Sequence, residues 1–143
     1  MITEIRHIGI VVQDLNKVLN FFTKLLKFKI KKKMSEKSSY IDNILGLKNA
    51  NITTVKIEAP DGNLIEILKF KNFRNKKNWN GKIYSTGLTH ISMTVKNLEK
   101  TYRFLIKKNI KFNAPPQLSP DKYAKVTFCK GPEGLLIELV EVL

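Results

Sequence analysis

The strongest constraint on the fold of this chain is an internal repeat. HIGIVVQDLNKVLNFF, beginning at His7, is matched by HISMTVKNLEKTYRFL, beginning at His90. Each copy is a strand opened by His, a polar turn (Gln13-Asp14 or Lys96-Asn97) and a helix for which Asp14 or Asn97 is the natural N-cap. Leu15, Val18, Leu19, Phe22, Leu25 and Leu26 recur at helical spacing in the first copy, and Leu98, Tyr102, Leu105 and Ile106 in the second. The copies also end alike, in PDGNLIEIL from Pro60 and PEGLLIELV from Pro132, each a Pro-x-Gly turn feeding a strand with Glu in the same place. Equivalent residues lie 83 apart at the His end and 72 apart at the Glu end, so the first copy has the longer middle. The extra residues fall in Met34–Asn51, which holds a short apolar turn around Ile41–Leu47. Further strands are expected at Phe28–Lys33, Ile52–Ala59, Ile110–Asn113 and Tyr123–Lys130. The sequence therefore predicts an α+β fold of two tandem βαβββ modules forming a curved, partly open barrel-like mixed sheet with helices on its outer face. A unit this small cannot cover both faces of its own sheet, so the copies are expected to pair into one continuous sheet structure. The expected arrangement is one domain over residues 1–143. Module one covers about residues 3–70, a polar linker 71–86, and module two 87–142.

Strand alternation then isolates four residues. Ile8, Ile10 and Val12 share one face of the first strand, and His7 faces the other way. Glu66 opposes Ile65 and Ile67, His90 opposes Ile91 and Met93, and Glu138 opposes Ile137 and Leu139. Each of these strands has an apolar face for helices and one ionisable residue on its other face. A carboxylate among apolar residues is costly unless exposed, paired or bound to a cation. A lone His or Glu on a strand would be ordinary. These are the only two His of the chain, however, at one repeat position, and each has its matching Glu. Two Glu and two His carry a formal charge that one divalent cation neutralises, and imidazole with carboxylate suits Ni, Co, Mn, Zn or Fe. His7, Glu66, His90 and Glu138 are thus the expected metal ligands. Glu141 lies on the opposite face from Glu138 and is expected to be solvated.

Net charge is +14, but 23 of the 26 basic residues are Lys and only Arg6, Arg74 and Arg103 supply guanidinium. Base and phosphate recognition favours Arg, so no nucleic-acid partner is expected. The basic stretches Lys29–Lys33 and Arg74–Lys77 read as solvated surface. No apolar run is long enough for a membrane span. The start of the chain lacks a signal-peptide pattern, and the single Cys129 in an apolar run reads as a buried thiol; both favour the cytoplasm. Tyr40, Trp79, Tyr84 and Tyr123 are candidates for pocket lining or for plain surface.

At RHIGIVVQDLNKVLNFF, APDGNLIEIL, LTHISMTVKNLEKTYRFL and KGPEGLLIELVEV the chain resembles the vicinal-oxygen-chelate superfamily, over roughly Thr3 to Val142. Within it the two-His, two-Glu set looks most like glyoxalase I, with methylmalonyl-CoA epimerase next. The resemblance implies that His7, Glu66, His90 and Glu138 hold one divalent metal. It further implies Glu138 as catalytic base, Glu66 as a second acid/base, a small-molecule substrate and a homodimer. The implied reaction is glyoxalase-type lyase or isomerase chemistry at a carbon beside a metal-chelated carbonyl. The alternatives are a CoA-ester epimerase, an extradiol-type dioxygenase and a non-catalytic small-molecule binding protein.

Overall fold

The computed structural model describes residues 1–73 and 82–143, in two compact units, Met1–Lys76 and Lys77–Leu143. The α+β class and the two modules are present. Among the described residues their strands hydrogen-bond as two mixed sheets, one per unit, where the sequence predicts one continuous sheet.

In the first unit β1 (Ile8–Val11) leads through Asp14 into α1 (Leu15–Asn20), and the Asp14 side chain accepts the Lys17 N–H at 2.9 Å as expected of an N-cap. The helix runs on as one wide π-turn, Phe21–Leu25, within which Phe21 and Phe22 are buried. Lys27, at φ 65°, then turns the chain into β2 (Lys29–Glu36). β3 (Ile52–Glu58) and β4 (Leu64–Phe70) form a hairpin around Asp61, and the sheet order is β1-β4-β3-β2, with β1 parallel to β4. Val18, Phe22, Val55, Ile57, Ile65 and Ile67 are buried, so the helix face and one sheet face make the core. β2 is an edge strand, and Lys29, Lys31, Lys32 and Lys33 guard it. Charged side chains on an open edge discourage a second strand from adding there.

The apolar stretch expected as a turn at Ile41–Leu47 is instead α2 (Ser39–Leu45). Ser38 caps its start by accepting the Ile41 N–H, and Gly46, at φ 64°, ends it in the left-handed conformation. Ile41 packs with Ala50 and Ile52, while the Asp42 carboxylate accepts the N–H groups of Asn49 and Ala50. A capped helix with one buried side chain and an anchored exit needs no long periodic stripe, which is why apolar spacing alone understates it.

In the second unit β5 (His90–Thr94) leads through Asn97 into α3 (Leu98–Lys107), with Asn97 accepting the Lys100 N–H at 2.8 Å. Leu98 and Leu105 are fully buried, and Tyr102 meets Phe112 edge to face. Ile106 is exposed, contrary to its expected place on the stripe; it lies about 100° around the helix from Leu105. β6 (Lys111–Phe112), β7 (Gln117–Leu118), β8 (Ala124–Lys130) and β9 (Leu136–Val142) follow. The main path is β5-β9-β8-β6, with β5 parallel to β9 and β7 also on β8. The edge that β2 forms as one eight-residue strand in the first unit is split here. Pro115 and Pro116 stand between β6 and β7, and proline has no N–H for a ladder. Among the described residues no helix is long and apolar enough to cross a membrane. Trp79 and the stretch Arg74–Lys77 lie outside the described residues.

Candidate functional site

Each unit brings one His and one Glu together, through the same register. In the first, Gly9 of β1 stands opposite Glu66 of β4; in the second, Ser92 of β5 stands opposite Glu138 of β9. The histidine is two residues before the partner in both cases. Residues two apart on a strand share a face, so His and Glu meet diagonally across a parallel pair. His7 Nε2 lies 3.2 Å from Glu66 Oε2, and His90 Nε2 lies 4.0 Å from Glu138 Oε2. His7, Glu66 and Glu138 are half-buried and His90 is exposed, the carboxylates being more covered than the imidazoles. Their neighbours along the strands, Ile65 with Ile67 and Ile137 with Leu139, are buried on the other face, as alternation requires. Among the described residues no group of three or more His, Cys, Asp or Glu is gathered as a metal cluster; the structure supplies two pairs, one per unit.

The pairs differ in what flanks them. Glu66 has a second contact, Lys56 Nζ at 3.8 Å from Oε1, because β3 places Lys56 directly across from Glu66. The corresponding cross-strand neighbour of Glu138 is Phe128, whose ring lies 5.3 Å from the His90 ring in an edge-to-face arrangement. The imidazoles are also held differently. His90 Nδ1 is 2.9 Å from Thr89 Oγ1, a contact that fixes the ring and turns Nε2 toward Glu138. His7 Nδ1 is buried and, among the described residues, has no hydrogen-bond partner, the state of a nitrogen that an ion or a water normally satisfies. Nitrogen and carboxylate donors of this kind fit a divalent transition cation.

Lys56, Thr89 and Phe128 were not singled out by the sequence, although one signal was there. Lys56 and Glu66 are equidistant from Asp61 at the turn, and Phe128 and Glu138 from Glu133; a symmetric hairpin makes such residues partners. The turns themselves are well specified. Asp61 accepts the backbone and side-chain N–H groups of Asn63, which holds its carboxyl below the usual carboxylate range, and Gly62 takes φ 90°. Glu141 is a correction. The sequence predicts a solvated side chain, but its Oε2 accepts the Leu98 N–H at 2.7 Å, covering an orphan donor at the start of α3. It does lie on the face opposite Glu138, and that face carries the helix. Cys129 is buried as expected, and burial pushes its thiol up to about 11, so it stays protonated at neutral pH. Tyr40, Tyr84 and Tyr123 are exposed.

A family model for the glyoxalase/bleomycin resistance protein/dioxygenase superfamily matches residues 4–139. The chain belongs to this superfamily. Among solved structures it is similar to a glyoxalase family protein from Bacillus cereus, with 18% identity, TM-score 0.87, and coverage of 100% of this chain and 96% of that one. It is also similar to the trypanothione-dependent glyoxalase I of Leishmania major, with 18% identity, TM-score 0.69, and coverage of 97% and 86%. A third likeness is to a genomically encoded fosfomycin resistance protein from Listeria monocytogenes, solved with Mn(II) and a sulfate ion. There the identity is 14%, the TM-score 0.65, and the coverage 100% and 95%. At these identities the likeness establishes the superfamily fold. No curated protein matches the chain.

Proposed function

We propose that this superfamily member is a divalent-metal-dependent lyase or isomerase of glyoxalase I type, its two modules acting as one domain. His7, Glu66, His90 and Glu138 would hold the ion. The observation that carries this reading is the repeated register: two His–Glu pairs, each set diagonally across a parallel strand pair, on faces that also hold apolar residues. A chance pairing in one module explains neither its duplication in the other nor the orphaned His7 Nδ1. A bound cation supplies Lewis-acid polarisation of two adjacent substrate oxygens. The imidazoles serve as fixed neutral donors, and His90 is oriented for this by Thr89. Glu138, which has no Lys or Arg within ion-pair distance among the described residues, takes the proton from the carbon beside the polarised carbonyl. The C–H electron pair moves toward that carbonyl, the proton is returned to the former carbonyl carbon, and the hydroxyl proton passes to the former carbonyl oxygen, so the product is an isomer of the substrate. Return to the original carbon would make the same site an epimerase. The substrate is a small molecule and the working unit a homodimer, both inferred from the superfamily resemblance.

Elemental analysis of protein purified without chelator or a metal-binding tag tests the ligand set. About one equivalent of Ni, Co, Mn, Zn or Fe per chain is expected for a site of this donor type. The loaded chain should then convert a 2-oxoaldehyde hemithioacetal into the isomeric 2-hydroxy thioester. A chain that takes up none of these ions refutes the four-ligand set. A loaded chain that forms no such isomer refutes the isomerase chemistry while leaving the metal site standing.

A further inference from the structure

Lys56 stands beside the candidate metal ligands of the first unit without being one of them. Val55 and Ile57 on either side of it are fully buried, so β3 gives its apolar face to the core and turns Lys56 to the face of Glu66 and His7. The second unit carries Phe128 at the equivalent position, an aromatic ring that packs on its histidine. Replacing such a ring by an ammonium beside a candidate metal ligand is costly for metal binding, because two cations repel in a half-buried site. On β2, Lys31 is taken up by Glu58 at 3.2 Å, and Lys32 stands directly opposite Lys56. The Glu66 carboxylate is divided, with Oε2 toward His7 and Oε1 toward Lys56 at the looser 3.8 Å.

Charge shows what this arrangement suits. Two neutral imidazoles, two carboxylates and one divalent cation sum to zero, and Lys56, with Lys32 directly opposite it on β2, leaves this face of the first unit with excess positive charge. A substrate with an anionic group beyond its chelating oxygens offsets that excess. We propose, resting on the metal-site reading above, that Lys56 is a specificity-determining residue. Its ammonium receives an anionic oxygen of the substrate, a carboxylate or a phosphonate-type group, next to the metal-chelated oxygens. Substrates neutral at this position, a simple 2-oxoaldehyde hemithioacetal among them, still bind the metal but without this contact, and so more weakly.

The test uses the full chain as wild type, Lys56→Met and Lys56→Arg. Each is first titrated with Mn(II); oxalate or methylphosphonate is then titrated into the loaded protein by calorimetry. Lys56→Met should hold Mn(II) at least as tightly as wild type, since a repelling charge is gone, and should lose about tenfold or more in affinity for the preferred anion. Lys56→Arg should keep the anion within about threefold, because the positive charge is retained. Whichever anion wild type binds more tightly names the carboxylate or phosphonate class. Unchanged anion affinity in a metal-loaded Lys56→Met overturns the proposal and leaves the metal site intact. So does weaker Mn(II) binding with anion affinity preserved, which would make Lys56 only a positioning partner of Glu66. A wild-type chain that binds no Mn(II) or other divalent ion removes the metal-site reading itself and the proposal with it.

Discussion

The two units use one backbone plan and give their carboxylates opposite neighbours. Glu66 sits between an imidazole and the Lys56 ammonium; Glu138 sits beside an imidazole and across from the Phe128 ring. The parallel pairs β1-β4 and β5-β9 have equivalent registers, so the ladder sets the same diagonal His–Glu placement in both, with separations of 3.2 Å and 4.0 Å. The antiparallel neighbour then differentiates the pair. A repeat thus fixes where functional groups stand, and a single cross-strand position decides what each can do. An ion-paired Glu66 suits a standing ligand, and the less encumbered Glu138 suits proton transfer.

The largest expected effect separates these roles. Glu138→Gln should lower turnover about 10²- to 10⁴-fold, the usual weight of a positioned general base, with the metal retained less tightly. Glu66→Gln should act chiefly on metal content and recover activity as the ion is added in excess. Steady-state rates measured against metal concentration distinguish the two, and equal, unrecoverable losses in both variants would erase the proposed division of labour. A smaller effect is expected from Thr89→Val, which removes the partner of His90 Nδ1 and has no counterpart at His7. Metal affinity should drop about tenfold, as outer-shell partners of metal-bound His typically require. Competition with a chromogenic chelator reads it, and unchanged affinity would mean the His90 ring is held by Phe128 alone. The smallest contrast is structural. Glu141 and Lys69 occupy equivalent positions: Glu141 accepts the Leu98 N–H at the start of α3, while Lys69 donates to the Gln13 carbonyl before α1. Glu141→Ala should cost about 1–2 kcal/mol as a part-buried charged acceptor is lost, and Lys69→Ala, at an exposed contact, under about 1 kcal/mol. Urea unfolding at neutral pH measures both; a larger loss for Lys69→Ala would reverse the comparison.

Much of this was legible before the structure. The repeat fixed the module count, the two helix caps at Asp14 and Asn97, and the strand faces of Glu66 and Glu138. What escaped has a common cause. α2 is held by Ser38, Gly46 and Asp42, whose bonds are local but leave no periodic stripe. Glu141 was assigned to the right face and the wrong environment, because alternation says which side a residue is on and nothing about which helix end waits there. The split edge at Pro115-Pro116 follows from proline's missing donor, but β7, only two residues long, is too short for alternation to reveal.

By itself the sequence determined the two βαβββ modules and the four His and Glu positions. Period-two and helical patterns are local and survive in the linear order of residues. Only the tertiary structure decided that Gly9 and Ser92 stand opposite Glu66 and Glu138, and that Lys56 and Phe128 are the carboxylates' other neighbours. It also decided that the strands divide into two sheets. Those facts depend on hydrogen-bond register between segments far apart in the chain, and register is set by which packing of the whole module buries its apolar faces.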